Sequence, residues 1–127
     1  MTTVIVPISV GELVDKITIL HIKQERISDT DKLANINTEL DQLFEILESL
    51  SDDQFTTISP LLIQLKNVND ELWDIENFKR NCELKQEFGM GFIEAARQVY
   101  LKNDHRAAIK REINTLTGST IIEEKSY

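Results

Sequence analysis

Residues 59–82 read SPLLIQLKNVNDELWDIENFKRNC, and this stretch decides the fold of the chain. Ser59 is a favourable N-cap residue, and Pro60 suits the first helical position, where no backbone N–H is needed. Apolar residues then recur at alternating steps of four and three, the spacing of one helical face. They are Leu61, Leu65, Val68, Leu72, Ile75 and, after an interruption at Lys79, Cys82. The pattern predicts a long helix that begins at Ser59.

A second apolar stripe lies upstream and repeats without interruption at steps of three and four. Its members are Leu33, Ile36, Leu40, Leu43, Leu47 and Leu50. Residues 51–58, which join the two stripes, are few and mostly polar. Short connections favour antiparallel neighbours, so we expect the two helices to form a hairpin with coiled-coil packing along both stripes.

The N-terminal helix is predicted to begin at Ser9, because Ser9 and Glu12 have the spacing of a capping box. Val10, Leu13, Val14, Ile17 and Leu20 make one face, whereas Ile19 and Ile22 lie on the opposite side. A helix that is apolar on two sides is covered twice, so it is either central in the bundle or part of a subunit contact. Ile19 and Ile22 are therefore interface candidates of an expected homo-oligomer. Trp73, a lone large aromatic residue beside the downstream apolar stripe, is a third candidate, and its alternative is packing in the core.

The rest of the chain predicts two shorter C-terminal helices and a small ribbon. Gly89 and Gly91 should end or kink a helix, Asn103-Asp104 has the form of a new N-cap, and Gly118 marks a helix end. Residues 2–8 and 120–123 are β-branched, and their pairing would satisfy both backbones. The expected fold is thus mainly α: an antiparallel hairpin, an N-terminal helix, two C-terminal helices and a two-stranded ribbon of the termini.

Composition limits the class of protein. A chain of 127 residues fits a single helical domain, 1–127, and only four glycines and two prolines favour helices. A net charge of −8 disfavours binding to nucleic acid or to an anionic membrane. The single Cys82 suits a reducing compartment, and no apolar run approaches the length of about 20 residues that spans a membrane. We therefore expect a cytoplasmic protein.

Four segments resemble a small family of bacterial and tailed-phage proteins of unknown function. They are Pro7–Leu20, Leu72–Glu76, Tyr100–Asn114 and Ile121–Tyr127, so the resemblance covers nearly the whole chain. It implies no established activity, catalytic residue or cofactor. Some relatives lie in gene neighbourhoods for cell-surface glycan synthesis, which bears on partners and not on chemistry. From this resemblance an acidic residue would be expected where His21 stands.

Two acidic pairs form a candidate metal site: Glu12 with Asp15, and Glu71 with Asp74. A spacing of three places both carboxylates of a pair on one helical face, and two such helices side by side could hold Mg²⁺ through oxygen ligands. The pairs loosely resemble the acidic helices of all-α nucleotide pyrophosphohydrolases, but the order of four acids in those enzymes is not reproduced. The alternative is a helix cap with ion pairs to lysines or arginines.

A polar stripe forms a candidate anion site. Asn103 opens the last predicted helix, and Arg106, Lys110 and Asn114 follow at four-residue steps, so they share one face. Free N–H groups and a row of cations suit a phosphate or a carboxylate. Asp104 opposes an anion at that helix start. The alternative is a set of internal ion pairs with Glu12, Asp15, Glu71 or Asp74.

These patterns leave two functions open. The first is a non-enzymatic interaction or assembly module without a cofactor, which forms a homo-oligomer and binds a protein partner. The second is an enzyme or binder of a small molecule, a nucleotide or a sugar phosphate, that uses the acidic pairs, Mg²⁺ and the basic stripe. No Cys/His metal spacing, glycine-rich phosphate loop or nucleophile elbow occurs in the sequence, which favours the non-enzymatic module.

Overall fold

The computed structural model describes residues 2–126, which form four α-helices and no β-strand. Helix α1 spans Val10–Arg26, α2 Thr30–Leu47, α3 Asp52–Lys85 and α4 Met90–Thr117. The all-α prediction is confirmed for this part of the chain. Met1 and Tyr127, the ends of the predicted domain 1–127, lie outside the described residues. Tyr127 is also the last residue of the segment Ile121–Tyr127 that resembles the family.

Helix α1 is the central element, because it packs against all three other helices. Ser9 caps it by accepting a hydrogen bond from the backbone N–H of Glu12 at 3.0 Å. Val14 is fully buried and Ile22 is 1% exposed although they lie on different faces. The double apolar pattern of this helix therefore corresponds to coverage from several sides within one chain.

The N-cap of helix α3 is Ser51, eight residues before the predicted one, so the assignment of Ser59 as its N-cap is wrong. Ser51 and Gln54 form a reciprocal capping box that satisfies two free N–H groups at the true start. Pro60 lies inside the helix and is exposed, with its ring on the solvent side. The Ser59 hydroxyl donates instead to the carbonyl of Phe55 at 2.7 Å. A capping box and a continuous apolar face thus outweigh the hydrogen bond that a proline removes.

The predicted hairpin of α2 with α3 is also wrong. No Cα of α2 lies within 8 Å of a Cα of α3, whereas α3 packs closely on α4 and α2 packs on α1. A Cβ added at Gly91 would lie 3.5 Å from the Phe78 ring, and Gln54 donates to the carbonyl of Thr117, so α3 and α4 are antiparallel. The apolar stripes of α2 and α3 meet the wide apolar surface of α1 rather than each other. They contribute Leu40, Leu47, Leu61 and Leu65 to one common core.

Helix α4 is a single helix of 28 residues, not the two shorter helices that the sequence predicted. Asn103 does not cap a new helix: its side-chain oxygen accepts a hydrogen bond from Arg106 of the same helix at 3.3 Å. The stretch 92–117 contains no glycine or proline, so nothing in it breaks the helix. The end at Gly118 is confirmed, with a positive φ of 63° that favours glycine.

The predicted ribbon of the termini is not seen in residues 2–126. Val4, Ile5 and Val6 of the N-terminal segment are exposed. The C-terminal segment, residues 119–126, instead follows α4 in the reverse direction. Glu124 pairs with Arg111 at 3.1 Å, and Lys125 pairs with Asp104 at 2.9 Å. Side-chain ion pairs therefore hold this segment in place of a backbone ladder.

The distal half of the α3–α4 hairpin has a much smaller core than the rest. Within residues 75–102, all of which the structure describes, Cys82 and Ala95 alone are buried. No side-chain hydrogen bond or ion pair between described residues joins this region to α1 or α2. We call residues 75–102 the two-helix end and the remainder of the helices the body.

Candidate functional site

The antiparallel packing of α1 and α4 brings the predicted polar residues of both helices together. Close approach is possible because residue 11 is a glycine: a Cβ there would lie 2.6 Å from the carbonyl oxygen of Lys110. The backbone N–H of Gly11 donates to Oδ1 of buried Asn114 at 2.6 Å. The glycine contact thus sets the distance at which side chains from α1 and α4 meet.

Asp15 is the centre of a buried polar cluster, with only 1% of its surface exposed. Arg106 donates to it twice, from Nε to Oδ1 at 3.0 Å and from Nη2 to Oδ2. Asn69 of α3 donates from Nδ2 to Oδ1 at 2.9 Å and to the hydroxyl of Thr18 at the same distance. The forked guanidinium contact is the strong form of an ion pair, so three helices are joined at one carboxylate.

Lys110 lies one helical turn after Arg106 and extends the cluster. Its Nζ donates to Glu12 at 2.7 Å and lies 3.8 Å from Asp15. Glu12 also pairs with Lys16 at 3.6 Å, so its carboxylate faces these lysines. We call Glu12, Asp15, Asn69, Arg106 and Lys110 the Asp15 network. It has the form of the internal ion pairs that the sequence offered as the alternative to an anion site.

The electrostatics of the two cations follow from their neighbours. The hydrogen bonds that Arg106 donates to Asp15, which outweigh desolvation, raise the pKa of the Arg106 guanidinium above its usual value. Burial by itself lowers the pKa of Lys110, but the hydrogen bond with Glu12 and the charges of Asp15 and Glu123 raise it overall. Both cations therefore stay charged at neutral pH.

The C-terminal segment completes the site on its solvent side. Glu123 accepts a hydrogen bond from the hydroxyl of Ser9 at 3.0 Å and lies 3.4 Å from Nζ of Lys110. Ser119 accepts from the backbone N–H of Val10 at 3.3 Å. The segment thus connects the start of α1 to α4. No pattern used to predict the fold assigned this role to the segment, although the acidic pair Glu123-Glu124, which follows a basic helix in the sequence, was a usable signal.

The four residues of the predicted anion site line one open cleft of about 370 Å³ beside the C-terminal segment. They are Asn103, Arg106, Lys110 and Asn114. The cleft also contains the side chains of Asp104, Glu123 and Glu124. Its four cations, Arg106, Lys110, Arg111 and Lys125, each pair with a carboxylate of the chain itself.

The two acidic pairs of the predicted metal site are not gathered around one point. Asp15 pairs with Arg106, Glu71 with Lys102, and Asp74 with Arg26 at 2.6 Å. Among residues 2–126, no group of three or more His, Cys, Asp or Glu side chains is placed to hold a metal ion. Each carboxylate instead lies beside a cation of another helix.

The three interface candidates line a cleft of about 270 Å³ between α1, α3 and α4. Ile22 is 1% exposed, whereas Ile19 and Trp73 are half-buried. Arg106 lines this cleft as well as the one beside the C-terminal segment. The guanidinium therefore separates an apolar cleft with an aromatic wall from a strongly charged one.

Within the described residues, no helix has both the length and the apolar character needed to cross a membrane. Comparison with curated proteins and with solved structures finds no match to this chain. A family model does match, and it covers residues 4–127, which include all four helices and the C-terminal segment. The chain belongs to that family, described as a family of unknown function, DUF6165.

Proposed function

We propose that this protein is a non-enzymatic interaction and assembly module that associates with itself through the two-helix end. The observation that carries the proposal is the exposure of large apolar side chains where only two helices pack. Leu84 is 82% exposed and Met90 is 79% exposed. Phe78, Phe88, Ile93, Tyr100 and Leu101 are exposed as well. A concentration of exposed apolar side chains in one region is typical of contact sites in folded proteins.

Charge supports self-association at this end. The chain as a whole carries −8, but residues 75–102 contain four acidic and five basic residues. Two copies that meet here avoid the repulsion that the rest of the surface would cause. Two hairpins packed against each other would form a four-helix bundle, in which each hairpin covers the exposed apolar side chains of the other.

The Asp15 network supports a structural role for the polar stripe. Its cations already have carboxylate partners, and Asp15 has a guanidinium and an amide as donors. A ligand anion would have to replace Glu12 or Glu123 at Lys110. We also propose that the chain has the bacterial or tailed-phage origin that the family resemblance implies.

The test of self-association is light scattering after size exclusion, over a wide range of protein concentration. We expect a dimer or a larger oligomer, and a monomer for the double variant Leu84→Asp/Ile93→Asp. The matched control is Leu116→Asp, because Leu116 is 47% exposed on α4 but lies outside the two-helix end. A monomer at every concentration, or equal dissociation by the control, would exclude this function.

A second candidate function is a binder or enzyme of a nucleotide or sugar phosphate. It is favoured by one observation: Asn103, Arg106, Lys110 and Asn114 line the same cleft. The test is the melting temperature at fixed ionic strength with phosphate, sugar phosphates, or nucleotides with Mg²⁺, since a ligand at 100 times its Kd adds about 2.7 kcal/mol. Stabilisation of the wild type that Arg106→Ala abolishes would support it. Equal insensitivity of both proteins would exclude it.

A further inference from the structure

A groove opens between α2 and α3 because these helices do not pair. It has a volume of about 300 Å³, and α1 forms its floor through the buried side chains of Val14 and Ile17. Phe44 of α2 and Phe55 of α3 form the walls, and each is 40% exposed. Ile63 is 65% exposed at the same groove. The groove therefore has exposed apolar side chains on its walls above a buried floor.

One side of this groove is strongly acidic. Residues 39–53 contain six acidic residues and no lysine, arginine or histidine. They are Glu39, Asp41, Glu45, Glu48, Asp52 and Asp53. None of these six carboxylates forms an ion pair with a described residue, whereas those of α1 that face α4 do. The negative charge beside the groove is thus uncompensated within the chain.

The acidic side and the apolar groove form one continuous surface. Asp41 and Glu45 of α2, with Glu48 directly after it, line a cleft that adjoins the groove. The cleft and the groove share two lining residues, Phe44 and His21. An occupant that fills the groove therefore meets three carboxylates along its flank.

Charge decides which occupant fits. A second copy placed symmetrically would set these three uncompensated carboxylates against three others, which is unfavourable. The exposed N-terminal segment of another copy, residues 2–8, is apolar but contains no cation. Nucleic acid is repelled by the same charge. A helix with bulky apolar residues at i, i+3 or i+4, and i+7, and with lysines or arginines beside them, satisfies both parts of the surface.

We propose that the α2–α3 groove is the docking site for a basic amphipathic helix of a partner protein. This inference rests on the proposed function as an interaction module and adds the chemical class of its partner. It is independent of self-association, because the groove lies on the body and not on the two-helix end.

The probe is a fluorescent helical peptide of about 18 residues, with leucines at the anchor spacing and lysines on the adjacent face. We expect saturable binding by anisotropy, and at least about tenfold weaker binding of a peptide with every lysine changed to glutamate. The chemical shifts of Phe44, Phe55 and Ile63 should change on titration. Binding that is absent, or equal for both peptides, would overturn the proposal.

Two double variants separate the groove from general attraction to an acidic protein. Glu45→Lys/Glu48→Lys should lower the affinity for the basic peptide at least about tenfold. The matched control Glu83→Lys/Glu87→Lys makes the same charge change at the two-helix end and should leave the affinity unchanged. All four glutamates are exposed, so both variants should fold as the wild type, as checked by circular dichroism. Equal weakening by both variants would show nonspecific electrostatic binding and overturn the proposal.

Scattering on the same samples distinguishes this proposal from the proposed self-association. A chain that is monomeric but binds the basic peptide in the groove retains the docking site and loses the assembly role. A chain that oligomerises but binds no peptide retains the assembly role and loses the docking site. Self-association that Glu45→Lys/Glu48→Lys changes and Leu84→Asp/Ile93→Asp does not would assign the groove to a second copy and overturn both.

Discussion

The body and the two-helix end are built from the same two helices, yet they are held together differently. In the body, α3 and α4 enclose α1, and side chains such as Leu65 and Ile113 are fully buried. In the two-helix end, the same helices bury Cys82 and Ala95 while Leu84 and Met90 stay exposed. The difference shows that a third helix, not helix length, provides a core, since two helices cannot enclose their apolar faces.

The two regions also differ in the surroundings of their ion pairs, as one carboxylate from each shows. Asp15 of the body is 1% exposed and is held by three helices, whereas Glu94 of the two-helix end pairs with Arg97 on its own helix at 3.0 Å. The buried carboxylate depends on its partners, because it has lost water. The exposed pair remains solvated. Mutations should therefore have unequal effects in the two regions, which three comparisons test, and a pH dependence tests the buried network itself.

The largest expected difference concerns a leucine from each region. Leu65→Ala should lower the free energy of unfolding by about 2–5 kcal/mol, because Leu65 is fully buried and the change leaves a cavity. Leu84→Ala should change it by less than about 0.5 kcal/mol, since Leu84 is 82% exposed. Urea unfolding at a concentration where the chain is monomeric measures both. Equal losses would show that the two-helix end carries as much of the core as the body.

The second comparison concerns carboxylates. Asp15→Ala should cost about 3 kcal/mol, because it leaves Arg106 and Asn69 without their shared acceptor in a largely buried site. Glu94→Ala removes an exposed pair within α4 and should leave the urea midpoint unchanged within error. If Asp15→Ala were as stable as Glu94→Ala, the Asp15 network would not stabilise the body.

The third comparison concerns two glycines that are each the second residue of a helix, and it predicts opposite signs. Gly11→Ala should destabilise by about 1–3 kcal/mol, because its Cβ would lie 2.6 Å from the Lys110 carbonyl and would push α1 away from α4. Gly91→Ala should stabilise by about 0.5–1 kcal/mol, since its Cβ would meet only Phe78, at an ordinary 3.5 Å. Thermal unfolding measures whether each variant has a lower or a higher melting temperature than the wild type. A neutral Gly11→Ala would contradict the close approach of the two helices.

The smallest effect should appear at alkaline pH. The folded-state pKa of Lys110 is raised above its ordinary value of 10.5, so its contribution to stability is complete below that pH. The contribution is lost as the pH rises through the higher folded pKa. Urea midpoints of the wild type and Lys110→Met should therefore converge above pH 10.5. A constant difference across that range would show that the charge of Lys110 does not stabilise the body.

Several features could be predicted from the sequence because they are local. The capping of α1 at Ser9, the apolar character of α1 on two sides and the helix end at Gly118 each depend on residues a few positions apart. The polar stripe of Arg106 and Lys110 followed from helical spacing alone, and so did the alternative that it pairs with Glu12 and Asp15.

The tertiary structure alone decided which apolar faces meet. Periodicity shows that α2 and α3 each have an apolar stripe, but burial is non-directional, so the stripes could pair with each other or with α1. The chain uses α1, and this choice opens the α2–α3 groove. The same limit applies to Asn69 and Glu123, which lie 54 and 114 positions from Asp15 and Ser9, their respective partners. Only packing brings such distant residues within hydrogen-bond distance, because no local pattern in the sequence encodes their separation in space.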